Sequence, residues 1–156
     1  MKNQEISRQI QRLEALYARA RDASDTQLDL QAHWARYLCI LLSGLVENGI
    51  KEIYSDFIGR AASKPVADYA IAYLLTVQNP KAEKILLIAG SFKKEWREQL
   101  QVYLDDQGRK DAVDSVMANR NQIAHGKDVN ITLGRLRSFL DKVIDVLAFI
   151  EQQCRG

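Results

Sequence analysis

Three observations predict an all-α fold, an antiparallel up-and-down bundle of about four long helices with shorter helices added. Apolar residues recur at three-and-four spacing through most of the chain, from Ile6, Ile10 and Leu13 to Leu140, Val143 and Leu147, the period of one helix face. Only two prolines occur in 156 residues, and both fall at segment boundaries, where helices tolerate them. The one run that reads as a strand, Ile85-Leu86-Leu87-Ile88, finds no partner strand elsewhere. The length suits a single domain, 1–156, able to bury a sizeable core without staples.

The first helix is expected over about Asn3 to Arg21, with Ile6, Ile10, Leu13, Tyr17 and Ala20 on one stripe. The polar segment from Asp22 to Thr26 makes a turn, and Ser24 or Asp25 is expected to cap the next helix by accepting its free amide protons. That second helix, about Thr26 to Ile58, is the longest and the most apolar through its middle, and it belongs near the centre of the bundle. Gly44 and Gly49 interrupt it at ~1 kcal/mol each relative to alanine, so close approach of a neighbouring helix, or a kink, is expected there. Between them Glu47 and Asn48 place polar groups in the apolar run. Glu47 either pairs with Lys51 one turn on or serves a site.

Ser63-Lys64-Pro65 opens a third helix, since a first turn has no use for proline's missing amide, and Asn79-Pro80 closes it. Its apolar set is Val66, Tyr69, Ala70, Tyr73, Leu74 and Val77, and its tyrosines are expected in the core rather than stacking bases. A short helix from Lys81 to Ala89 carries the apolar run and is expected to be buried on most sides. Gly90-Ser91 then starts a helix to about Asp106, with Phe92, Trp96, Leu100 and Tyr103 inward and Lys93, Lys94 and Arg97 outward, as a solvated face beside Glu95 and Glu98 or as a track for a nucleic-acid backbone. Gly108 breaks the chain before a helix from Arg109 to Ala124. After a short loop, Thr132 caps the last helix, whose Leu133, Leu136, Leu140, Val143, Leu147 and Ile150 form the cleanest stripe.

Composition excludes several classes. No apolar run reaches the ~18 residues of a membrane span, and the start of the chain lacks a signal-peptide core, so a cytoplasmic protein with no membrane partner is expected. Cys39 and Cys154 are isolated, so neither a disulfide framework nor a metal-ligand cluster is expected, nor any cofactor. A glycine-rich phosphate loop and a nucleophile elbow are also missing. Residues 1–108 balance acidic and basic side chains, whereas 109–137 set Arg109, Lys110, Arg120, Lys127, Arg135 and Arg137 against Asp111, Asp114 and Asp128. Local positive charge suits a phosphate-rich ligand. Lys127, Arg109 and Lys110 are the candidate contacts to such a ligand.

The informative stretch is Ala118-Asn119-Arg120-Asn121-Gln122-Ile123-Ala124-His125-Gly126. Arg120 falls on the stripe formed by Val113, Val116, Met117, Ile123 and Ala124. An inward guanidinium carries five donors and a permanent charge, so it requires an acid, carbonyls or an incoming anion. His125 is one of two histidines; the other, His33, reads as a helix-surface residue. On a continuous helix His125 lies ~140° around the axis from Arg120. The two side chains converge only if the helix ends between them or a second subunit supplies the partner. Gly126 offers a helix end.

An arginine, four residues and a histidine, with Asn121 directly after the arginine, resembles the signature of HEPN-domain ribonucleases, which are small all-α proteins. "LLSGLVENGIKEIY", Leu41 to Tyr54, is similar to the acidic-residue helix of that superfamily, and the nearest branch is the RiboL-PSP-HEPN type. The resemblance implies metal-independent cleavage of RNA to 2′,3′-cyclic phosphate ends at a dimer interface. His125 would be the acid/base, Arg120 the phosphate clamp, Asn121 the orienting group, and Glu47 the acid that orients Arg120. Such chemistry needs no metal, because RNA carries its own nucleophile, the 2′-hydroxyl. The implied partners are RNA, a second copy in a homodimer, and an antitoxin or regulatory protein, in toxin–antitoxin or phage-defence systems. Toxin members neutralised by adenylylation carry a tyrosine two residues after the histidine. Lys127 stands there instead. The rival expectation is a non-catalytic HEPN-like dimerisation or partner-binding module.

Overall fold

Most of the apolar stripes find a neighbour in the structure, a computed structural model that describes residues 1–156 and is built of helices without strands. They are α1 (Gln4–Ala23), α2 (Leu28–Ala61), α3 (Lys64–Leu74), α4 (Ala82–Phe92), α5 (Lys94–Asp105), α6 (Arg109–Ala124) and α7 (Leu133–Gln153). The four long helices α1, α2, α6 and α7 form the bundle, and α2 packs against α1, α3, α6 and α7. Their short connections make consecutive helices antiparallel neighbours. One continuous cluster of 40 buried hydrophobic residues runs through the whole. The α7 stripe is buried as expected from Leu133 to Ile150, and the Thr132 hydroxyl accepts the Arg135 N–H at 3.1 Å.

Several local expectations are corrected. Ser24 does not cap α2: its hydroxyl donates to the Ala20 carbonyl at the end of α1, and α2 begins after Gln27 without a side-chain cap. Gly49 does mark a close approach, since a Cβ there would lie 2.8 Å from both methyl carbons of Leu147 on α7, but Gly44 faces open space. α3 ends at Leu74, before the expected Asn79-Pro80, and α4 runs through Gly90 to Phe92 with a break at Lys93 alone. The α3 tyrosines are not core: Tyr69 is 80% and Tyr73 71% exposed, while Ala67 and Leu74 are the buried residues of α3. Leu87 of α4 also points out, at 52%. α3 has one substantial helical neighbour, α2, and Val66, Tyr69 and Tyr73 stay uncovered.

Two polar anchors hold the bundle's ends. Glu151, buried on α7, accepts the Lys2 and Asn3 amides at 2.8 and 2.6 Å and ties down the start of α1. Arg109 closes α5. Its Nη1 donates to the Tyr103 and Asp106 carbonyls at 3.2 and 3.3 Å, free acceptors at a helix end, while the guanidinium lies 4.0 Å over the Tyr103 ring.

Candidate active site

α6 delivers the motif to the surface. Val113, Val116 and Met117 bury its first turns, Arg120 and Asn121 are half-buried, and from Ala124 to Asp128 every residue is exposed. Ala124 is therefore not part of the buried stripe. The helix closes immediately after the motif: Gly126, at φ +69°, lets its own N–H donate to Ile123 and the Lys127 N–H donate to Gln122, both at 3.0 Å. A left-handed residue paired with these two bonds is a standard way of satisfying the last carbonyls. His125 is the capping residue itself, so the helix does not end between Arg120 and His125. Its imidazole is exposed and makes no hydrogen bond within the chain. At ~1.5 Å rise per residue the two side chains stand about 7.5 Å apart along the axis and ~140° around it.

Arg120 is left with little to hold. One Nη1 contact to Asn121 Oδ1 at 3.3 Å is its only side-chain hydrogen bond, and no carboxylate lies within ion-pair distance. Asn121 thus touches the group it is expected to orient. Glu47, on α2, is close enough for the Arg120 charge to act on it, yet its oxygens are held by others: Oε1 by Lys51 Nζ at 2.7 Å and Oε2 by the Asn79 N–H at 2.7 Å. Partial burial pushes this carboxyl upward, but the Lys51 and Asn79 hydrogen bonds, with the charges of Lys51 and Arg120, hold it below its ordinary value. Of the two readings of Glu47, the structure contains the Lys51 pair. It pairs with Lys51 and lies in the field of the motif arginine without bonding to it.

The candidate RNA contacts separate. Arg109 is corrected: it is 6% exposed and engaged with α5, so it presents nothing to a ligand. Lys110 bonds to Asp114 at 3.1 Å, and that hydrogen bond and charge raise its pKa. Lys127 is exposed and unpaired. Elsewhere Arg97 pairs with Glu83 and Lys94 with Glu98, as a solvated face would. No three His, Cys, Asp or Glu side chains gather in metal-binding geometry. The Cys39 thiol, pushed up to about 12 by burial, is unsuited to nucleophilic attack.

Sequence reasoning missed Asn79. Its φ of +45° turns the backbone amide onto Glu47, and the Ala82 N–H donates likewise to Asp114 of α6 at 2.8 Å, so the segment between α3 and α4 is tied to both motif helices. The Asn-Pro pair marks the turn, because asparagine tolerates a left-handed conformation. Nothing local names the carboxylates it meets. Neither Arg120 nor His125 lines the groove between α1 and α2, the cleft between α3 and α4, or the hollow around Trp34.

Comparison with known families assigns the class of this all-α bundle, a HEPN-type domain. The RiboL-PSP-HEPN family model matches residues 4–155, and the chain belongs to that family. No curated protein and no solved structure matches it.

Proposed function

We propose that the protein is a metal-independent endoribonuclease acting as a homodimer. The observation that carries this reading is the pair of unengaged groups on the last turns of α6: a guanidinium with one long hydrogen bond and no carboxylate, and an exposed imidazole. Arg120 clamps a phosphoryl oxygen, Asn121 orients it, and His125 moves the proton between the 2′-hydroxyl and the leaving 5′-oxygen. Glu47 acts on Arg120 through charge. Because Arg120 and His125 diverge on one continuous helix, a second copy is needed to bring an arginine and a histidine to the same phosphate. The product is a 2′,3′-cyclic phosphate. Toxin–antitoxin and phage-defence settings, in the cytoplasm and with an antitoxin or regulator as partner, fit a small ribonuclease of this family.

The competing reading is a non-catalytic dimerisation or partner-binding module, favoured by the exposed apolar side chains of α3. One experiment separates them. RNA cleavage that persists in excess EDTA, fails on an all-2′-deoxy substrate and disappears in His125→Ala supports the enzyme. Cleavage requiring magnesium and proceeding on DNA refutes the mechanism. No cleavage of total RNA by the wild type leaves the binding module as the better reading.

A further inference from the structure

Between α3 and α4 the surface opens into a cleft of about 270 Å³, nine of whose eleven lining residues are hydrophobic. Tyr69 and Tyr73 form one wall, a helical turn apart, and Leu87 with Ile88 the other, over a floor that includes Leu74 and Val77. Tyr69, Tyr73 and Leu87 are mostly exposed, and Val66 and Leu75 nearby extend the apolar area. Contiguous exposed apolar surface of this kind costs solubility and marks interaction sites. No other helix of the chain covers it: α3 packs on α2, and α4 on α5 and α6.

We propose that this cleft docks an acidic, amphipathic helical segment of another protein. Its two walls are helices with residues repeating at i and i+4 (Tyr69, Tyr73) and at i, i+3 and i+7 (Lys84, Leu87, Ser91), which leaves a trough for the apolar stripe of a third helix. The charge of the rim selects the partner. Lys84 lines the cleft, and Lys81, exposed, precedes it by about one helical turn, both without ion pairs, while Asp68 on α3 is paired with Lys64 and Glu83 on α4 with Arg97. Free positive charge around an apolar trough favours carboxylates flanking apolar anchors. A nucleic acid strand would find one lysine among the lining residues and one a turn before it, against nine apolar residues, too few cations to follow a phosphate backbone. A second copy related by a twofold axis would set Lys81 and Lys84 against their own mates with no free acid to meet them.

The test is a titration of ¹⁵N-labelled protein, followed by amide shifts, with a synthetic helical peptide bearing leucines at i, i+3, i+4 and i+7 and glutamates on its other faces. The same peptide with lysines for glutamates is the control. The expected result is shifts confined to α3 and α4, and stronger binding of the glutamate peptide. Tyr73→Asp and Leu87→Asp, exposed positions whose folding is checked by Tm, each weaken binding about tenfold or more. Lys84→Glu weakens the glutamate peptide and strengthens the lysine one. Absence of binding, shifts spread over other helices, or indifference to peptide charge overturns the proposal. So does an oligouridylate that shifts these amides where the peptide does not, or a self-association in sedimentation that Tyr73→Asp abolishes.

Discussion

Arg109 and Arg120 sit at opposite ends of α6, and they differ in what their guanidinium groups have left to give. Arg109 is buried, donates to two main-chain carbonyls, Asp106 Oδ2 and Gln107, and lies on the Tyr103 ring, which itself stacks on Phe149 of α7. Arg120 is half-buried and has one 3.3 Å contact to its neighbour Asn121. A buried cation whose two terminal nitrogens are bonded from within, only its Nε being unmatched, is part of the scaffold, since removing it would orphan carbonyls. A half-buried one with no carboxylate in ion-pair distance keeps most of its donors free, which under the proposed mechanism meet an anion from outside. One helix therefore carries an arginine that closes the fold and an arginine that the fold leaves open.

The largest test of that contrast is on activity. Under the proposed mechanism, His125→Ala and Arg120→Ala each lower RNA cleavage by about 10²- to 10⁴-fold, the usual worth of a positioned acid/base or charge clamp. Tm stays nearly unchanged, as exposed or weakly bonded side chains contribute within ~0.5 kcal/mol. Mixing the two inactive chains recovers part of the activity if the site is shared across subunits. A large drop in Tm for Arg120→Ala would make it a second scaffold arginine and erase the distinction.

Next in size is the reverse pattern at Arg109. Arg109→Ala is expected to cost about 2–3 kcal/mol, the worth of charge-assisted hydrogen bonds whose acceptors are left without partners, read by urea denaturation. Activity per folded molecule should match wild type. If the variant folds as well as wild type but cleaves poorly, Arg109 belongs to the site after all.

Glu47 lies between these extremes, bonded like a scaffold residue yet placed in the field of Arg120. Glu47→Gln keeps the shape but weakens the bonds to Lys51 and Asn79 to neutral ones, at about 1 kcal/mol in stability, and lowers turnover by removing the charge facing Arg120. The pH dependence has a definite sign. A carboxyl held below its ordinary value in the fold stabilises the protein above the unfolded value of ~4.3 and loses that contribution as pH falls through the folded value. The stability gap between wild type and variant should thus be widest at neutral pH and shrink below about pH 4. A gap independent of pH would mean that the charge contributes nothing.

These residues also show what a sequence does and does not reveal. α7 and the first turns of α6 were legible because a stripe covered by neighbours on its whole width obeys the three-four period closely. Arg120, Asn121 and His125 were legible because polar groups at the end of an apolar helix stand out locally. Arg109 was not: its partners lie in the α5–α6 turn, whose left-handed Gln107 and Gly108 fold the chain back on itself. The tyrosines of α3 misled for a related reason. Periodicity marks an apolar face but is silent on whether another helix covers it. The Asn79 bond to Glu47 joins residues far apart in the chain, and only tertiary packing brings them together.

The smallest expected effect applies the same distinction to two lysines. Lys110 and Lys127 both lie in the basic segment around the motif, and charge counting treats them alike. The structure does not: Lys110 is held by Asp114, which also accepts the Ala82 amide and so fixes the pair to the start of α4, whereas Lys127 stands free two residues beyond His125. Each cation that meets a phosphate releases counterions and adds to the salt dependence of binding. For RNA bound to the His125→Ala protein, which the proposed mechanism leaves uncleaved, Lys127→Ala should lower the slope of log affinity against log salt by about 0.7, the single-strand value. Lys110→Ala should leave the slope unchanged, since a lysine already neutralised by Asp114 displaces few ions. Equal slopes for all three proteins would place the RNA away from the end of α6, and a change for Lys110→Ala alone would place it toward the helix's first turns.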